Sequence, residues 1–405
     1  MYKYLNIQEF INRHVTYREK SLFQEDLEIN NHTLGEVIDG TNVLVIGGAG
    51  TIGSSFIKAI LNFKVKKLVV VDTNENGLTE LVRDLRSTDG LIVPDDFKTY
   101  PISFGEVVFN KMFLANGPFD IVANFAAHKH VRSEKDAYSV QAMIENNVFK
   151  AYPLLKLLNK HKPKAFFSVS TDKAANPVNV MGASKKLMED LLFSFSDRLH
   201  ITTARFANVA FSNGSLLFGY LERLAKQQPF SCPLGIKRFF VSPQESGQIC
   251  MLGAALGKGR DIVFPKLSAE KDLVSFSDIT LDFVKYLGLT PKICKSEEEA
   301  KLFFKQRSSG SEYPVHLFES DTTGEKPYEE FYTDNEILDM NTFKGLGVIQ
   351  VTTPKSETEI ALLITQLQQL FEQEDVQKAD IIEILRSHMG GFSHNELQKN
   401  LDQRM

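Results

Sequence analysis

The chain has 405 residues, enough to bury a large core, and its composition is that of an ordinary soluble globular protein. Its net charge of −5 and pI near 6.0 exclude a broadly basic nucleic-acid-binding surface. No apolar stretch reaches the roughly 20 residues needed to cross a bilayer, and the first residues mix charges with apolar side chains instead of forming a signal peptide. The few, unpaired cysteines indicate a reduced, cytoplasmic setting and no metal site.

Residues 1–40 are predicted to form an appended helical segment. Tyr4, Ile7, Phe10 and Ile11 share one helix face, and a polar stretch follows them as far as residue 31. We expect the segment to pack on the domain that follows it or on a neighbouring subunit.

A glycine-rich turn joins the first predicted strand to a helix. The strand, residues 42–46, is mostly apolar and rich in β-branched side chains, and Gly47, Gly50 and Gly53 follow it. The first glycine permits a tight turn, the second leaves room for a phosphate against bare backbone, and the third lets the helix of residues 51–61 pack closely. The free N–H groups of that helix would bind the phosphates of a dinucleotide. A turn of this kind can also serve packing alone.

The second predicted strand, residues 67–71, supports the dinucleotide interpretation. It ends in Asp72, about 20 residues after Gly53, where a dinucleotide-binding fold has its ribose-binding carboxylate. No Arg follows Asp72 to accept a 2′-phosphate, so the pattern favours NAD over NADP.

Strands and helices alternate through the next part of the chain, which predicts a parallel, doubly wound α/β sheet. Further strands are predicted at residues 99–103, 119–124, 164–170 and 200–205, and the longest helices at residues 139–158 and 183–195. Ligands bind at the carboxyl ends of such strands, so the residues that follow each strand carry the chemistry.

Small and basic residues follow the fourth strand. Ala126 and Ala127 would let the backbone approach a flat ring, and His128, Lys129 and His130 come next. The histidines could equally make structural hydrogen bonds, and no third ligand is spaced to complete a metal site.

Thr171, Asp172 and Lys173 follow the fifth strand directly. They could form only a turn with an ion pair, but a hydroxyl, a carboxylate and an amine at the ligand edge favour catalysis. Met181 and Lys185 come next, four residues apart, and therefore lie on one helix face.

In this order the motifs resemble the extended short-chain dehydrogenase/reductase family, and more specifically the bacterial nucleotide-sugar 4,6-dehydratases of polysaccharide and glycan biosynthesis. The resemblance implies a Rossmann-type doubly wound parallel sheet with a smaller, discontinuous α/β substrate-binding lobe. Its motifs span most of residues 41–332: Gly47 to Gly53, Ala126 to Val131, Ser170 to Pro177, Asn179 to Lys185, Arg205 to Val209, Arg238 to Ser242 and Gly324 to Glu330.

The sequence departs from the family pattern at position 181, which is tyrosine in most of the superfamily. Met181 has no proton to exchange. The resemblance still implies activity, because one branch carries the same Met, typified by the UDP-N-acetylglucosamine 4,6-dehydratases that retain configuration at C5. Some members of that branch have an N-terminal membrane domain, and the segment before Gly47 resembles only its linker. The segment Arg205 to Ser215 is less glycine-rich than the family's version.

The resemblance implies an NAD-dependent lyase acting on a UDP-N-acetylhexosamine, with UDP-N-acetylglucosamine as the first candidate. Such an enzyme oxidises the sugar at C4, eliminates water across C5 and C6, and returns the hydride to C6. Thr171 would donate to the ketone, Asp172 would be the acid and Lys173 the C5 base. We expect Lys185 and desolvation to lower the pKa of Lys173 for that role.

We predict cofactor contacts at the strand ends and the glycine turn, from Gly47, Gly50, Thr51, Ile52, Gly53, Asp72, Asn74, Ser103, Phe104, Ala126, Ala127 and Lys185. We predict substrate contacts from Lys129, His130, Met181, Asn208, Ser215, Arg238, Glu325 and Lys326. Arg238 is assigned to the diphosphate because its guanidinium fork matches phosphate oxygens, although a surface ion pair would also account for it.

The predicted organisation has four parts. A helical extension (1–40) precedes an NAD-binding domain (41–208), a substrate lobe interleaved with the last Rossmann elements (209–352), and C-terminal helices (353–405) with an apolar stripe typical of a core or subunit contact. The two longest helices, at 139–158 and 183–195, approximate those through which relatives pair, which implies a homodimer or a higher even oligomer.

Two alternatives to the dehydratase stay open. A nucleotide-sugar 4-epimerase of the same fold needs the hydride step without an acid and a base at C6 and C5, and Asp172 and Lys173 argue against it. A non-catalytic dinucleotide-binding regulator would explain the missing tyrosine, but it would have no need of Lys185 or of the residues at 171–173.

Overall fold

The computed structural model describes residues 5–129, 134–306, 310–319, 328–390 and 392–394. Its strands are β1 (Asn42–Ile46), β2 (Lys67–Val71), β3 (Asp96–Tyr100), β4 (Ile121–Asn124), β5 (Ala165–Val169), β6 (Ile201–Ala204), β7 (Asn208–Val209), β8 (Phe230–Leu234), β9 (Lys237–Val241), β10 (Asp261–Pro265), β11 (Leu273–Ser275), β12 (Thr290–Cys294), β13 (Glu312–Glu319), β14 (Ile337–Asp339) and β15 (Leu346–Gln350). Its helices are α1 (Ile7–Phe10), α2 (Gln24–Ile38), α3 (Thr51–Ile60), α4 (Glu75–Ser87), α5 (Val107–Asn116), α6 (Ala137–Ile144), α7 (Ala151–Lys160), α8 (Val180–Phe193), α9 (Leu216–Ala225), α10 (Pro243–Leu256), α11 (Phe276–Tyr286), α12 (Glu297–Gln306), α13 (Glu357–Phe371) and α14 (Lys378–His388).

A nine-stranded sheet has the order β14-β15-β10-β6-β5-β4-β1-β2-β3. All neighbours from β3 to β10 are parallel, and β15 and β14 extend the edge as antiparallel strands. The strand order reverses between β1 and β4, and Ile46 is level with Val71 and Asn124 there. The carboxyl ends of β2, β1 and β4 therefore meet at one edge, where such folds bind ligands. The predicted α/β fold with a Rossmann-type parallel sheet is confirmed.

The central strands form because their side chains are almost wholly apolar and are covered on both faces. Residues 43–46 and 68–71 are at most 1% exposed. Helices α2, α3 and α10 pack together in one group, and α6, α7, α8, α13 and α14 form another. The group around α8 positions the candidate active site.

A smaller lobe contains two three-stranded sheets, β11-β9-β7 and β12-β13-β8. Its separate core is rich in aromatic side chains: the rings of Tyr220 and Phe230 stack 4.5 Å apart, and that of Phe283 lies 6.0 Å from that of Phe230. Phe10 of α1 joins this core, 5.0 Å from Phe283. The N-terminal segment therefore packs partly on the smaller lobe, a neighbour that the sequence did not indicate. Tyr4, predicted on the same helix face, lies outside the described residues.

The helical extension predicted at residues 1–40 contains α2, which begins at Gln24, inside the stretch that is polar in sequence. Buried Leu34 and Ile38 give this helix an apolar face, and Asp26 accepts hydrogen bonds from the backbone N–H groups of Lys344 and Gly345. These contacts come from far along the chain, so the local polar composition did not reveal them.

Two other predicted elements also differ. The third strand ends at Tyr100, whereas the prediction extended it to residue 103. This strand lies at the edge of the sheet and has several polar side chains, so its apolar pattern is too weak to mark its bounds. The predicted helix at 139–158 is divided between α6 and α7 by a π-helical turn, Glu145–Phe149. The C-terminal helices form close to the predicted positions, and their stripe, Ile360, Leu363, Leu367 and Leu370, is buried in the main core.

Helix α8 is enclosed by its own chain, since every residue except Lys186 is buried. Its neighbour α13 also contacts the adjoining helix layer, where the rings of Phe149 and Phe371 lie 5.6 Å apart and Glu357 pairs with Arg198 at 2.6 Å. Helix α8 therefore has little exposed surface through which the predicted subunit contact could form.

Candidate active site

Of the three glycines in the turn after β1, only Gly50 leaves its backbone open. Gly47 has a φ of +76°, and a Cβ on it would lie 2.5 Å from the backbone N of Ala126. A Cβ on Gly53 would overlap the carbonyl oxygen of Gly47, whereas one on Gly50 would meet only that oxygen, at 3.5 Å. The turn therefore packs tightly at both ends and has an open middle.

Helix α3 begins at Thr51, and within the described chain no side chain caps its N-terminus. The N–H groups of Thr51, Ile52 and Gly53 are consequently available to a ligand at the positive end of the helix dipole. Open backbone beside uncapped N–H donors fits the diphosphate of a dinucleotide.

Asp72 lies at the end of β2, beside the glycine turn. Its carboxylate accepts hydrogen bonds from the backbone N–H groups of Ala49 at 3.0 Å and Asn74 at 2.9 Å. Asn74 in turn caps α4 through the N–H of Gly77. Asp72 is thus oriented by backbone, and its remaining lone pairs could accept ribose hydroxyls.

Other predicted cofactor residues surround this edge. Ser103 and Phe104 are buried in the loop after β3, and the Nζ of Lys150 is 3.4 Å from the hydroxyl of Ser103. Ala126 and Ala127 follow β4.

A loop of the smaller lobe reaches the start of α3, where the hydroxyl oxygen of Thr51 accepts a hydrogen bond from the N–H of Asn213 at 2.9 Å. The start of α3 and a loop of the smaller lobe are therefore in direct contact.

The residues at 171–173 form a compact hydrogen-bonded unit at the end of β5. One carboxylate oxygen of Asp172 accepts hydrogen bonds from the hydroxyl of Thr171 (2.8 Å), the backbone N–H of Lys173 (2.9 Å) and the Nζ of Lys173 (3.1 Å). The side chain of Asp172 is only 4% exposed. A hydroxyl, an acid and an amine that share one oxygen can exchange a proton without solvent.

The structure overturns the expectation that the pKa of Lys173 is lowered. Burial acts in that direction, but the carboxylates of Asp172 and Glu329 outweigh it and raise the pKa above its usual value, while Arg238 opposes them. Glu329 lies 3.6 Å from the Nζ of Lys173 and is buried. Lys173 is therefore protonated in the free site.

Lys185 has the lowered pKa instead. Its side chain is buried, and its Nζ donates to the carbonyl oxygen of Val169 at 2.8 Å, at the end of β5. Burial lowers the pKa of this amine to about 8, although the charge of Glu189 partly counteracts it. Lys185 is thus a polar group beneath the unit at 171–173 that gains or loses a proton near neutral pH.

Met181 lies in the first turn of α8 and is 2% exposed. The next residue, Gly182, explains how α8 approaches the reactive unit: a Cβ there would lie 2.5 Å from the carbonyl oxygen of Lys173. The helix and the reactive turn therefore touch backbone to backbone.

The π-helical turn before α7 holds the loop after β4. The side chain of Asn147 accepts from the N–H of His128 and donates to its carbonyl oxygen, and it also donates to the hydroxyl of Ser184 in α8. Desolvation and the nearby Lys150 lower the pKa of His128. These bonds to Asn147 involve only the backbone of His128, so the two interpretations of its side chain, a site role or a structural hydrogen bond, stay predictions.

The predicted substrate residues come from both lobes, with Met181 in α8 and with Asn208 and Arg238 in strands β7 and β9. Asn208 in β7 has a buried Nδ2 with no hydrogen-bond partner in the described part of the chain, as expected of a group that binds a ligand. Ser215 caps α9 through the N–H of Phe218. Arg238 is 5% exposed, so the alternative of a surface ion pair is wrong. His130, Glu325 and Lys326 lie outside the described residues.

A buried network stands behind the reactive unit. The guanidinium of Arg205, 0% exposed, binds both carboxylate oxygens of Glu189 at 2.8 and 3.0 Å and pairs with Glu336 at 2.8 Å. Glu189 also accepts a hydrogen bond from the hydroxyl of Ser170 at 2.6 Å. Burial alone would raise the pKa of Glu189, but the charge and hydrogen bonds of Arg205 outweigh burial and lower this pKa. This network joins α8 to the strand that precedes Thr171.

Sequence reasoning missed three groups of this site. Glu329 lies inside a recognised motif, residues 324–330, but no role was assigned to it. The pairing of Arg205 with Glu189 and the contact of Glu134 with α8 have no local signal, because they join distant segments.

The described residues contain no cluster of three or more His, Cys, Asp or Glu side chains that could hold a metal ion, and their three cysteines are free and buried.

Helices long and apolar enough to cross a bilayer do not occur in the described ranges. Among curated relatives, the uncharacterized membrane protein MJ1061 of Methanocaldococcus jannaschii is 28% identical over 315 residues, 76% of this chain and 85% of that protein. EpsC of Bacillus subtilis, a probable polysaccharide biosynthesis protein, is 24% identical over 79% of this chain and 49% of its own length. The chain therefore spans only about half of this longer relative.

A UDP-N-acetylglucosamine 4,6-dehydratase (inverting) of Campylobacter jejuni is 25% identical over 58% of this chain and 70% of that protein. UDP-glucose 4-epimerases of Rickettsia are also relatives.

Among solved structures, Pen from Bacillus thuringiensis has a TM-score of 0.63 at 22% identity, covering 82% of this chain and 98% of that one. DesIV, a dTDP-glucose 4,6-dehydratase of Streptomyces venezuelae solved with NAD, has a TM-score of 0.54 at 17% identity, covering 71% and 87%. At these identities the structures establish the fold. The family model described as polysaccharide biosynthesis protein matches residues 43–350, from β1 to β15, and the chain therefore belongs to this family, which is related to UDP-N-acetylglucosamine 4,6-dehydratases and to nucleotide-sugar epimerases.

Proposed function

We propose that the protein is an NAD-dependent 4,6-dehydratase that converts a UDP-N-acetylhexosamine, with UDP-N-acetylglucosamine as the first candidate, to its 4-keto-6-deoxy derivative. The observation that carries the proposal is the buried unit of Thr171, Asp172 and Lys173, because elimination of water needs an acid and a base side by side. The C. jejuni relative named for this reaction supports the same choice.

NAD is the cofactor that the site's chemistry favours. The uncapped start of α3 and the open backbone at Gly50 would hold its diphosphate, and Asp72 would accept its ribose hydroxyls. When bound, NAD supplies a hydride acceptor for C4 of the sugar and a donor for C6. Lys185 beneath the site would hold the nicotinamide ribose.

The ion pair of Asp172 and Lys173 can become the acid and base of the elimination by moving a single proton. Transfer from the Nζ of Lys173 to Asp172 across 3.1 Å produces a neutral carboxylic acid and a neutral amine. A substrate that excludes water favours this neutral form, because desolvation penalises both charges. The raised pKa of Lys173 in the free site is therefore compatible with its role as a base.

Elimination then returns the pair to its resting charges. The neutral amine of Lys173 takes the C5 proton, the electron pair of that bond forms the C5–C6 double bond, and Asp172 gives its proton to the departing 6-hydroxyl as water leaves. Lys173 is again an ammonium ion and can return a proton to C5 when C6 is reduced. Thr171 can donate its hydroxyl proton to the C4 oxygen.

A 4-epimerase is the second candidate, since epimerases are among the relatives. It would use the hydride step alone and would leave the buried acid and base without a task. A non-catalytic regulator would leave still more of the site unexplained.

The test is to incubate the purified protein with UDP-N-acetylglucosamine, UDP-N-acetylgalactosamine, UDP-glucose and GDP-mannose and to follow the products by mass spectrometry. We expect loss of one water from a UDP-N-acetylhexosamine without added NAD, because the cofactor is regenerated. Interconversion of the two UDP-N-acetylhexosamines with no loss of mass would establish the epimerase instead.

A further inference from the structure

The first turn of α8 is held by two side chains from outside the helix. Asn179 accepts a hydrogen bond from the N–H of Gly182 at 2.8 Å, and Glu134 accepts one from the N–H of Met181 at 2.8 Å. Such N–H groups have no partner within a helix, so their acceptors fix where the helix begins. Asn179 belongs to a recognised motif, whereas Glu134 comes from the segment before α6.

Glu134 is itself held from the C-terminal part of the chain. Its second carboxylate oxygen lies 3.5 Å from the Nε2 of His394, and the two side chains are 5% and 2% exposed. The Nζ of Lys378 donates to the backbone carbonyl oxygen of Glu134 at 3.0 Å. A carboxylate so deeply buried needs polar partners. The N–H of Met181 supplies one for the first oxygen. The second oxygen accepts no hydrogen bond within the described residues, and His394 offers it only the attraction of a protonated ring across 3.5 Å.

His394 is fixed in place by its own surroundings. Arg386 of α14 donates to the carbonyl oxygen of His394 at 2.9 Å, and Phe392 is buried in the main core. Lys378, Arg386 and His394 all lie beyond residue 350, where the match to the family ends. Lys378 and His394, which contact Glu134, therefore lie beyond the residues that the family model matches.

We infer that the segment after α13 is a positioning element of the active site, in which His394 and Lys378 hold Glu134 and Glu134 sets the first turn of α8. That turn carries Met181, packs Gly182 against the carbonyl oxygen of Lys173, and leads to Lys185. Displacement of Glu134 would shift the helix against the reactive turn. The effect on turnover rests on the proposed function, whereas the effect on α8 does not.

The experiment uses the full chain and its matched histidine. His388, in α14, contacts Lys355 and not Glu134, so His388→Gln is the control for His394→Gln. Glu134→Ala removes the acceptor of the Met181 N–H, and Glu134→Gln keeps an acceptor oxygen there. Amide hydrogen exchange of the peptide spanning residues 178–186 is measured by mass spectrometry without substrate, together with Tm, kcat and KM.

We expect Glu134→Ala to speed exchange at the start of α8 by about tenfold, the loss of one net hydrogen bond. His394→Gln should speed it by less, because this change removes an ion-pair contact and not a hydrogen bond. Exchange in the peptides of β1 and α3 should be unchanged. Glu134→Gln should retain much of the protection that Glu134→Ala loses at the start of α8, and His388→Gln should exchange like the unaltered protein. With substrate, kcat should fall by roughly 10- to 100-fold with little change in KM, because a slight misplacement of reacting groups acts on the chemical step.

Unchanged exchange at the start of α8 in both His394→Gln and Glu134→Ala would overturn the inference, and so would faster exchange spread evenly over the whole chain. If the variants exchange faster only at α8, and neither they nor the unaltered protein dehydrate any sugar nucleotide, the positioning element stands and the proposed function fails. If exchange is unchanged and the unaltered protein dehydrates its substrate normally, the positioning element fails and the proposed function stands.

Discussion

Asp172 and Lys173 are the two residues whose replacement separates elimination from oxidation. Asp172→Asn and Lys173→Ala should each lower dehydration by roughly 10²–10⁴, the usual contribution of a general acid or base. The roles assigned to both groups come after the hydride leaves C4, so the absorbance of bound NADH should appear on adding substrate and persist. Stopped-flow absorbance and mass spectrometry of the product measure the two steps.

Lys185 provides the contrast for this experiment. Lys185→Ala should prevent the NADH signal itself, because its proposed task is to hold the nicotinamide ribose. Normal turnover by Asp172→Asn and Lys173→Ala would refute the assigned roles, as would a failure of every sugar nucleotide to reduce the cofactor.

Lys185 should also make stability depend on pH. Its pKa is about 8 in the folded protein and near 10.5 when unfolded, so below pH 8 both states are protonated and the full cost of burying the charge is present. Between pH 8 and 10.5 the unfolded chain binds more protons, and the free energy of unfolding gains about 3 kcal/mol from this group. The variant Lys185→Met lacks that gain. Urea unfolding of both proteins at matched NAD concentration measures the difference, and parallel pH profiles would refute it.

At the scale of elements, the glycine turn makes two substitutions that look alike behave differently. In Gly53→Ala the new methyl group would overlap the carbonyl oxygen of Gly47, so α3 must shift and the fold should lose stability. In Gly50→Ala the methyl group finds ordinary contact at 3.5 Å but occupies the open backbone, so NAD should bind more weakly with Tm little changed. Thermal unfolding and calorimetric titration with NAD test the pair, and equal loss of Tm in both would contradict the proposed cradle.

The elements that could be predicted from sequence are those whose signal is local. Strands β1 and β2 are apolar runs bounded by turns, and the ends of β4 and β5 carry recognisable residues, so the sheet and the unit at 171–173 followed directly. The contact of Asp26 with residues 344 and 345, that of Glu134 with Met181 and the pairing of Arg205 with Glu189 depend on partners far along the chain. The pKa of Lys173 could not be predicted either, because Glu329 reaches it only in the folded protein.

At the scale of the whole molecule, the predicted homodimer or higher even oligomer has to form without a broad exposed face on α8. The C-terminal helix α13 covers this helix within the same chain. We expect an even multiple of the 45.6 kDa chain mass by light scattering at micromolar concentration. Tyr138, 76% exposed at the start of α6, is a candidate contact, and Tyr138→Asp should weaken association if α6 takes part. A monomer at that concentration would count against the prediction.

The placement of α1 also has a consequence for synthesis on the ribosome. Phe10 is buried against Phe283 and Tyr286, and Asp26 of α2 is bonded to the backbone at residues 344 and 345. The N-terminal segment that carries α1 and α2 must therefore wait, with its apolar side chains uncovered, until much later residues have been translated. Nascent chains that end before α11 should accordingly bind chaperones through their N-terminal segment. Nascent chains stalled after α14 should bind chaperones less, because the residues that cover this segment are then present.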